Sequence, residues 1–78
     1  MEKQIYKTIS DLWLLIKKYL PLAPNGSDEV WENLMSECNA LLDKVKDQPQ
    51  YYQDMTEKMV LGALDLLDGI NKENRKND

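Results

Sequence analysis

Apolar residues recur at helical spacing in three stretches of this chain, and two short polar breaks separate the stretches. The third stretch, residues 49–70, has the widest pattern. At 100° per residue, its apolar side chains cover an arc of roughly 220°, about twice the width that a surface helix needs. A helix this apolar needs neighbours on more than one side. The pattern therefore predicts a helix that is central in a small bundle or that shares a face with a second chain.

The first two stretches predict helices over about 2–20 and 28–46, each with one apolar stripe. The first stripe consists of Ile5, Ile9, Leu12, Ile16, Tyr19 and Leu20. The second consists of Val30, Trp31, Leu34, Cys38, Leu41, Leu42 and Val45. Leu14 falls on the polar side of the first helix and Leu15 on the flank of its stripe. Leu14 is interpreted as a surface leucine, with a contact residue as the alternative.

Both breaks carry turn and capping signals. Pro21 disfavours further helix, and Ser27 can cap the second helix by accepting a hydrogen bond from its early amides. Asp47 and Gln50 have the spacing of a capping box at the start of the third helix. Gly69 is predicted to take the left-handed conformation that ends a helix. The third helix is thus predicted over about 49–68, and the polar residues 71–78 are predicted to be a flexible tail.

Such short connections place consecutive helices side by side and antiparallel. The predicted fold is therefore an all-α, antiparallel three-helix bundle. It forms one domain over residues 1–70, followed by a short disordered C-terminal tail, and no linker or internal repeat divides it.

The composition restricts the setting and the partner classes. The chain has 78 residues, one cysteine, no histidine and a net charge of −4. A single cysteine without a signal peptide indicates a reducing, cytoplasmic setting. The longest apolar run is far shorter than the ~20 residues that span a membrane, so no membrane partner is expected. The acidic balance and the lack of a cation near the start of the third helix argue against direct DNA reading.

The side-chain inventory argues against an enzyme. Without histidine there is no His-dependent triad, and no glycine-rich loop is present to cradle phosphate. The carboxylate pairs at helical spacing are Glu29 with Glu32 and Asp65 with Asp68. Both pairs fall on predicted solvent faces, where nothing separates their pKa values for acid–base work. We therefore predict no catalytic residue, no metal site and no cofactor.

The single cysteine and the aromatic residues are predicted to be structural. Cys38 lies at the centre of the second stripe, as a small buried hydrophobe would. Core packing is the first interpretation of the aromatic side chains, and a patch that binds a partner is the alternative. These side chains are Tyr6, Trp13, Tyr19, Trp31, Tyr51 and Tyr52.

Gly62, next to Ala63, is the most unusual position in the third helix. Glycine inside a helix costs about 1 kcal/mol relative to alanine, so a close helix crossing is expected there. The crossing can lie inside the monomer or between two copies. Gly62→Leu is accordingly predicted to unfold the protein or to block its assembly.

The wide third stripe and the outward leucines favour a non-enzymatic protein–protein interaction module. The module would homodimerise or dock onto a larger protein through the third helix, by burial of apolar surface inside a charged rim. The predicted interface residues are Leu14, Leu15, Tyr51, Met55, Leu61, Gly62 and Leu64.

The alternative is an acidic, phage-type inhibitor that imitates nucleic acid on a basic protein channel. It requires a single acidic surface and steep weakening by salt. The carboxylates that would have to share that surface are Glu29, Glu32, Asp43, Asp54 and Asp65.

Residues 31–67 also resemble a group of small helical proteins of unknown function encoded in phages and mobile elements of Gram-positive bacteria. The resemblance rests on Trp31-x-x-Leu34, Leu41-Leu42-x-Lys44, Lys46-Asp47-x-Pro49 and Leu61-x-x-Leu64-x-x-Leu67. It implies a bacterial or phage cytosolic setting and no established activity, and it transfers no functional residue.

Overall fold

The computed structural model describes the backbone of residues 1–76 and the side chains of residues 1–73, and these residues form helices and turns with no strand. Helix α1 spans Glu2–Tyr19, α2 spans Asp28–Lys44 and α3 spans Gln50–Lys76. A 3₁₀ turn, Ala23–Asn25, lies between α1 and α2. The predicted all-α three-helix fold is confirmed.

Two ion pairs show how α1 and α2 run. Asp11 pairs with Lys44 at 3.7 Å. Two turns further along α1, Lys18 pairs with Glu37 at 3.0 Å. Because an advance along α1 is matched by a retreat along α2, these two helices are antiparallel.

Two hydrogen bonds show that α3 runs parallel to α1. Near the start of both helices, the Tyr52 hydroxyl of α3 donates to the Thr8 hydroxyl of α1 at 2.7 Å. Tyr52 is the donor because the Thr8 hydroxyl donates its own hydrogen to the Gln4 carbonyl at 3.0 Å. At the other end, the buried Asn71 amide donates to the Ala23 carbonyl at 2.8 Å. The bundle is an elongated body of 45 × 19 × 18 Å.

The core is a single column of side chains between the three helices. Leu34, Cys38 and Leu67 are among its most deeply buried members. The remaining buried apolar core residues are Leu12, Tyr19, Ala23, Leu41, Val45, Tyr52, Val60 and Ala63. The prediction that Cys38 is a small buried hydrophobe is confirmed.

The capping predictions have different outcomes. Ser27 caps α2 as predicted, because its hydroxyl accepts from the Val30 amide at 3.3 Å. The capping box of Asp47 and Gln50 does not form. Instead, the Gln53 side-chain amide donates to the carbonyls of Lys46 and Gln48 and holds this turn.

The predicted end of the third helix is wrong. Gly69 has no positive φ, and α3 continues through Lys76, so residues 71–76 of the predicted tail are helical. The continuation has a tertiary cause, because Asn71 finds a buried acceptor in the 3₁₀ turn and Ile70 packs against the core. The last two residues of the predicted tail, 77–78, lie outside the described part of the chain.

Candidate interaction surface

Each helix leaves large apolar side chains in contact with solvent. The most exposed in α1 are Tyr6 at 75%, Leu14 at 57% and Trp13 at 54%, while α3 exposes Tyr51 at 68% and Leu61 at 53%. Single exposed hydrophobic residues are ordinary. The functional question is therefore which of these side chains lie next to each other.

On α1, the ion pairs of Asp11 and Lys18 mark the side that faces α2. At 100° per residue, the buried stripe through Leu12 and Tyr19 follows this side around the helix. The flank of the stripe that lies away from α2 therefore faces α3. Still further round on that flank come three exposed residues, which are Tyr6, Ile9 and Trp13. They therefore border the junction with α3, away from α2.

On α3, Gln53 marks the side that faces α2, because it bonds to the carbonyls of Lys46 and Gln48 in the turn that follows α2. Tyr52 marks the side that faces α1 through its bond to Thr8. Beyond Tyr52, away from α2, lie Tyr51, Met55 and Leu66. Tyr51 and Leu66 are exposed and Met55 is half-buried.

Because α1 and α3 pack side by side, these two rows border the furrow between them, which we call the α1–α3 groove. It is defined by Tyr6, Ile9, Trp13, Tyr51, Met55 and Leu66. The exposed glycines Gly62 and Gly69 lie on the same side of α3, and a Cβ added to either one would meet no atom of α1 or α2 within 4 Å.

Both rows follow the alternating three- and four-residue spacing of a helix–helix seam. On α1 the spacing runs through residues 6, 9, 13, 16 and 20, and on α3 through 55, 59, 62, 66 and 69. Because α1 and α3 are parallel, the two seams run side by side along the groove. A seam of this period is suited to another helix laid along it.

The seven interface residues predicted from the sequence do not form one surface. Tyr51, Met55 and Gly62 lie on the α1–α3 groove, whereas Leu61 and Leu64 lie on the opposite flank of α3, towards α2. The last two, Leu14 and Leu15, line a cleft between α1 and α2.

Four residues of the groove are not among the interface residues predicted from the sequence. Ile9 was assigned to the core stripe, Tyr6 and Trp13 were interpreted first as core, and Leu66 was not selected; all four are exposed. A signal existed in the sequence, because the seam spacing on α1 is a second pattern beside the core stripe.

The close crossing predicted at Gly62 is not found inside the monomer. Gly62 is exposed, and the space around its Cβ position is open. The core column lies on the other side of α3, along Thr56, Val60 and Leu67, so neither α1 nor α2 approaches Gly62. A crossing between copies stays a prediction.

The cleft between α1 and α2 is bridged by charge. The ion pairs Asp11–Lys44 and Lys18–Glu37 both cross it, and all four residues line it together with Leu14 and Leu15. A partner at this cleft would have to break or move these pairs. It is therefore a weaker candidate than the α1–α3 groove.

A small polar network joins α1 to α2. The Tyr19 hydroxyl donates to a Glu37 carboxylate oxygen, and Lys18 pairs with the same carboxylate. Burial, followed by the bond to Glu37, raises the pKa of Tyr19 from its ordinary 10.0 to about 12. The bonds from Tyr19 and Lys18 lower the pKa of Glu37. Burial, together with the nearby Glu37 charge, raises the pKa of the Cys38 thiol, which makes it a poor nucleophile.

The carboxylate pairs lie as the sequence indicated. Glu29, Glu32 and Asp65 are exposed, and Asp68 forms an ion pair with Lys72 at 3.0 Å. Across the described residues, no three His, Cys, Asp or Glu side chains gather in a way that could hold a metal ion. Within the same part of the chain, no helix has both the length and the apolar character needed to cross a membrane.

Comparison of the chain with protein-family models, with curated proteins and with solved structures finds no match. The resemblance to small phage and mobile-element proteins therefore stays a prediction.

Proposed function

We propose that this chain is a small non-enzymatic protein–protein interaction module whose docking surface is the α1–α3 groove. The supporting observation is the grouping of three exposed aromatic side chains, Tyr6, Trp13 and Tyr51, along one furrow. Tryptophan and tyrosine are enriched among the hot spots of protein interfaces, because they bury a large area at a small cost in conformational entropy.

The apolar area of the groove matches the need of one interface. Tyr6, Trp13 and Tyr51 are 75%, 54% and 68% exposed. At ~150–250 Å² per aromatic side chain, they present roughly 400 Å². One side of a standard interface covers about 800 Å², of which about 57% is apolar, or roughly 450 Å². With Ile9 and Leu66 added, the groove reaches that amount.

The proposed setting is the cytoplasm, where a chain with a single, buried and unpaired cysteine is stable without disulfides. The acidic-inhibitor alternative has less support, because its five carboxylates divide between two helix faces. Glu29, Glu32 and Asp43 lie on the outer face of α2, and the other two lie on α3 with Lys58 between them.

Leu66 and Leu61 provide a matched pair for testing the proposal. They lie on opposite flanks of the same helix and are 48% and 53% exposed. A photo-crosslinking amino acid is placed at either position, and the protein is irradiated in an extract of its source cells. We expect protein adducts at position 66 and few at position 61. The position-66 adducts should persist at high salt, because apolar burial is not screened by ions.

A second arm makes the result specific to the groove. Trp13→Ser should abolish the adducts formed at position 66, and Leu14→Ser, on the α1–α2 side of the same helix, should leave them unchanged. Equal labelling at positions 66 and 61 would overturn the proposal. Labelling at position 66 that Trp13→Ser does not affect would also overturn it.

A further inference from the structure

The exposed row on α3 changes in size along the helix. Its first half carries bulky side chains, the exposed Tyr51 and the half-buried Met55 and Met59, while its second half carries the exposed Leu66 between Gly62 and Gly69. Bulky residues at one end and glycines at the other form a shape that is complementary to its own reversed copy.

We infer that the occupant of the α1–α3 groove is a second copy of this chain, with the two α3 helices antiparallel and the two-fold axis near residue 61. This inference rests on the proposed function and names its partner. In this arrangement Met59 lies over Gly62 of the second copy, and Tyr51 lies near its Gly69. Met55 meets its Leu66, which places every bulky residue against a small or complementary one.

Charge on the rim of the groove also selects the antiparallel copy. Lys58 and Asp65 lie on one flank of the exposed row, seven residues apart, and both are exposed. In an antiparallel helix pair, each flank of one helix faces the equivalent flank of the other helix. Lys58 of each copy therefore lies opposite Asp65 of the other copy, and the two-fold axis relates the two pairs. In a parallel pair this flank would face the buried side of the other helix, near Ala63, and the charges would find no partner.

The α1 helix completes the contact. Because α1 runs parallel to α3, it runs antiparallel to the α3 helix of the second copy. Counting along α1 from the Thr8–Tyr52 bond places Trp13 level with about residue 64 of that copy and Tyr6 level with about its residue 71, each within one turn of a glycine of the exposed row. The aromatic side chains of α1 thus reach the open space beside the glycines. With Ile9 and Leu66 added, the roughly 400 Å² of aromatic surface on each copy reaches the roughly 450 Å² of apolar area on one side of a standard interface.

The first test is the mass of the purified full chain by light scattering and sedimentation over a dilution series from millimolar to micromolar. We expect twice the 9.1 kDa of one chain at high concentration. Leu66→Glu should raise the dimer dissociation constant roughly hundredfold, and Leu61→Glu should leave it within about threefold. A wild-type chain that stays monomeric throughout, or equal effects of the two variants, would overturn the inference.

The second test addresses the orientation. Lys58→Glu or Asp65→Lys alone should weaken the dimer by roughly tenfold, because each change removes two attractive pairs and adds two repulsive ones. The double variant K58E/D65K should restore it, because the pairs reform with their signs reversed. Circular dichroism checks that each variant is folded, and failure of the double variant to recover dimerisation would exclude the antiparallel arrangement.

The two proposals fail in different ways. A monomeric chain that still forms groove-specific adducts with another protein at position 66 would remove the second copy and leave the interaction module. A dimer that resists Leu66→Glu but is broken by Leu61→Glu would overturn both.

Discussion

Asn71 gives the sharpest test of how this bundle is held together. It follows the predicted end of the third helix, yet its side chain is only 4% exposed and donates to the Ala23 carbonyl at 2.8 Å. The perturbation is Asn71→Ala, which removes this bond between α3 and the 3₁₀ turn while leaving a strong helix former in place.

The expected loss in the free energy of unfolding depends on which hydrogen bonds the Ala23 carbonyl retains. The Ala23 carbonyl keeps one donor, the Gly26 amide at 3.2 Å, so the substitution does not leave it wholly unpaired. The loss is therefore about 1–2 kcal/mol, within the range for a buried hydrogen bond. A domain of this size has a free energy of unfolding of only ~3–5 kcal/mol, so the melting temperature should fall by about 4–15 °C.

Asn39→Ala is the matched control. Asn39 is exposed in α2, and its replacement brings the same gain in helix propensity, about 0.5 kcal/mol, without loss of a buried bond. Urea and thermal unfolding are followed by circular dichroism at one protein concentration. If the Asn71 variant melts as high as the Asn39 variant, the bond contributes nothing and residues 71–76 are not anchored as the structure shows.

Three further predictions use the same unfolding measurements. Gly62→Ala, made in the Leu66→Glu background to limit self-association, should raise the free energy of unfolding by about 0.5–1 kcal/mol, because the added Cβ meets open space; a loss of stability would contradict this. Tyr52→Phe should cost about 0.5–1.5 kcal/mol through its buried bond to Thr8, while Tyr51→Phe next to it should cost nothing measurable; equal effects would refute the assignment. Because the pKa of Tyr19 is raised from 10.0 to about 12 in the folded chain, its contribution is complete below pH 10 and is lost as the pH rises towards 12. Tyr19→Phe should therefore flatten the alkaline decline of the unfolding free energy, and an unchanged decline would count against the Tyr19–Glu37 bond.

For the candidate surface, the apolar pattern of the third helix predicted exposed apolar side chains but not which of them share a surface. The wide stripe of the third helix does leave apolar side chains in solvent, as the interaction hypothesis required. Charged side chains, among them Lys58 and Asp65, lie between Leu61 and Tyr51 on the solvent face of α3, however, so the two residues border different grooves. Both residues lie outside the core, and a helical wheel of α3 contains no information on where α1 and α2 lie around that helix.

The amino-acid sequence by itself determined the number of helices, their stripes, the Ser27 cap and the burial of Cys38. These features depend on contacts within a turn or two, or on the 3.6-residue period, and both can be read along the chain. The tertiary structure alone decided that α3 continues past Gly69, that neither α1 nor α2 crosses α3 at Gly62, and that Tyr6, Ile9 and Trp13 border the same groove as Leu66. Each of these outcomes depends on how the three helices are rotated about their axes. That rotation is set by bonds between residues as distant as Thr8 and Tyr52 or Ala23 and Asn71, and no local pattern encodes it.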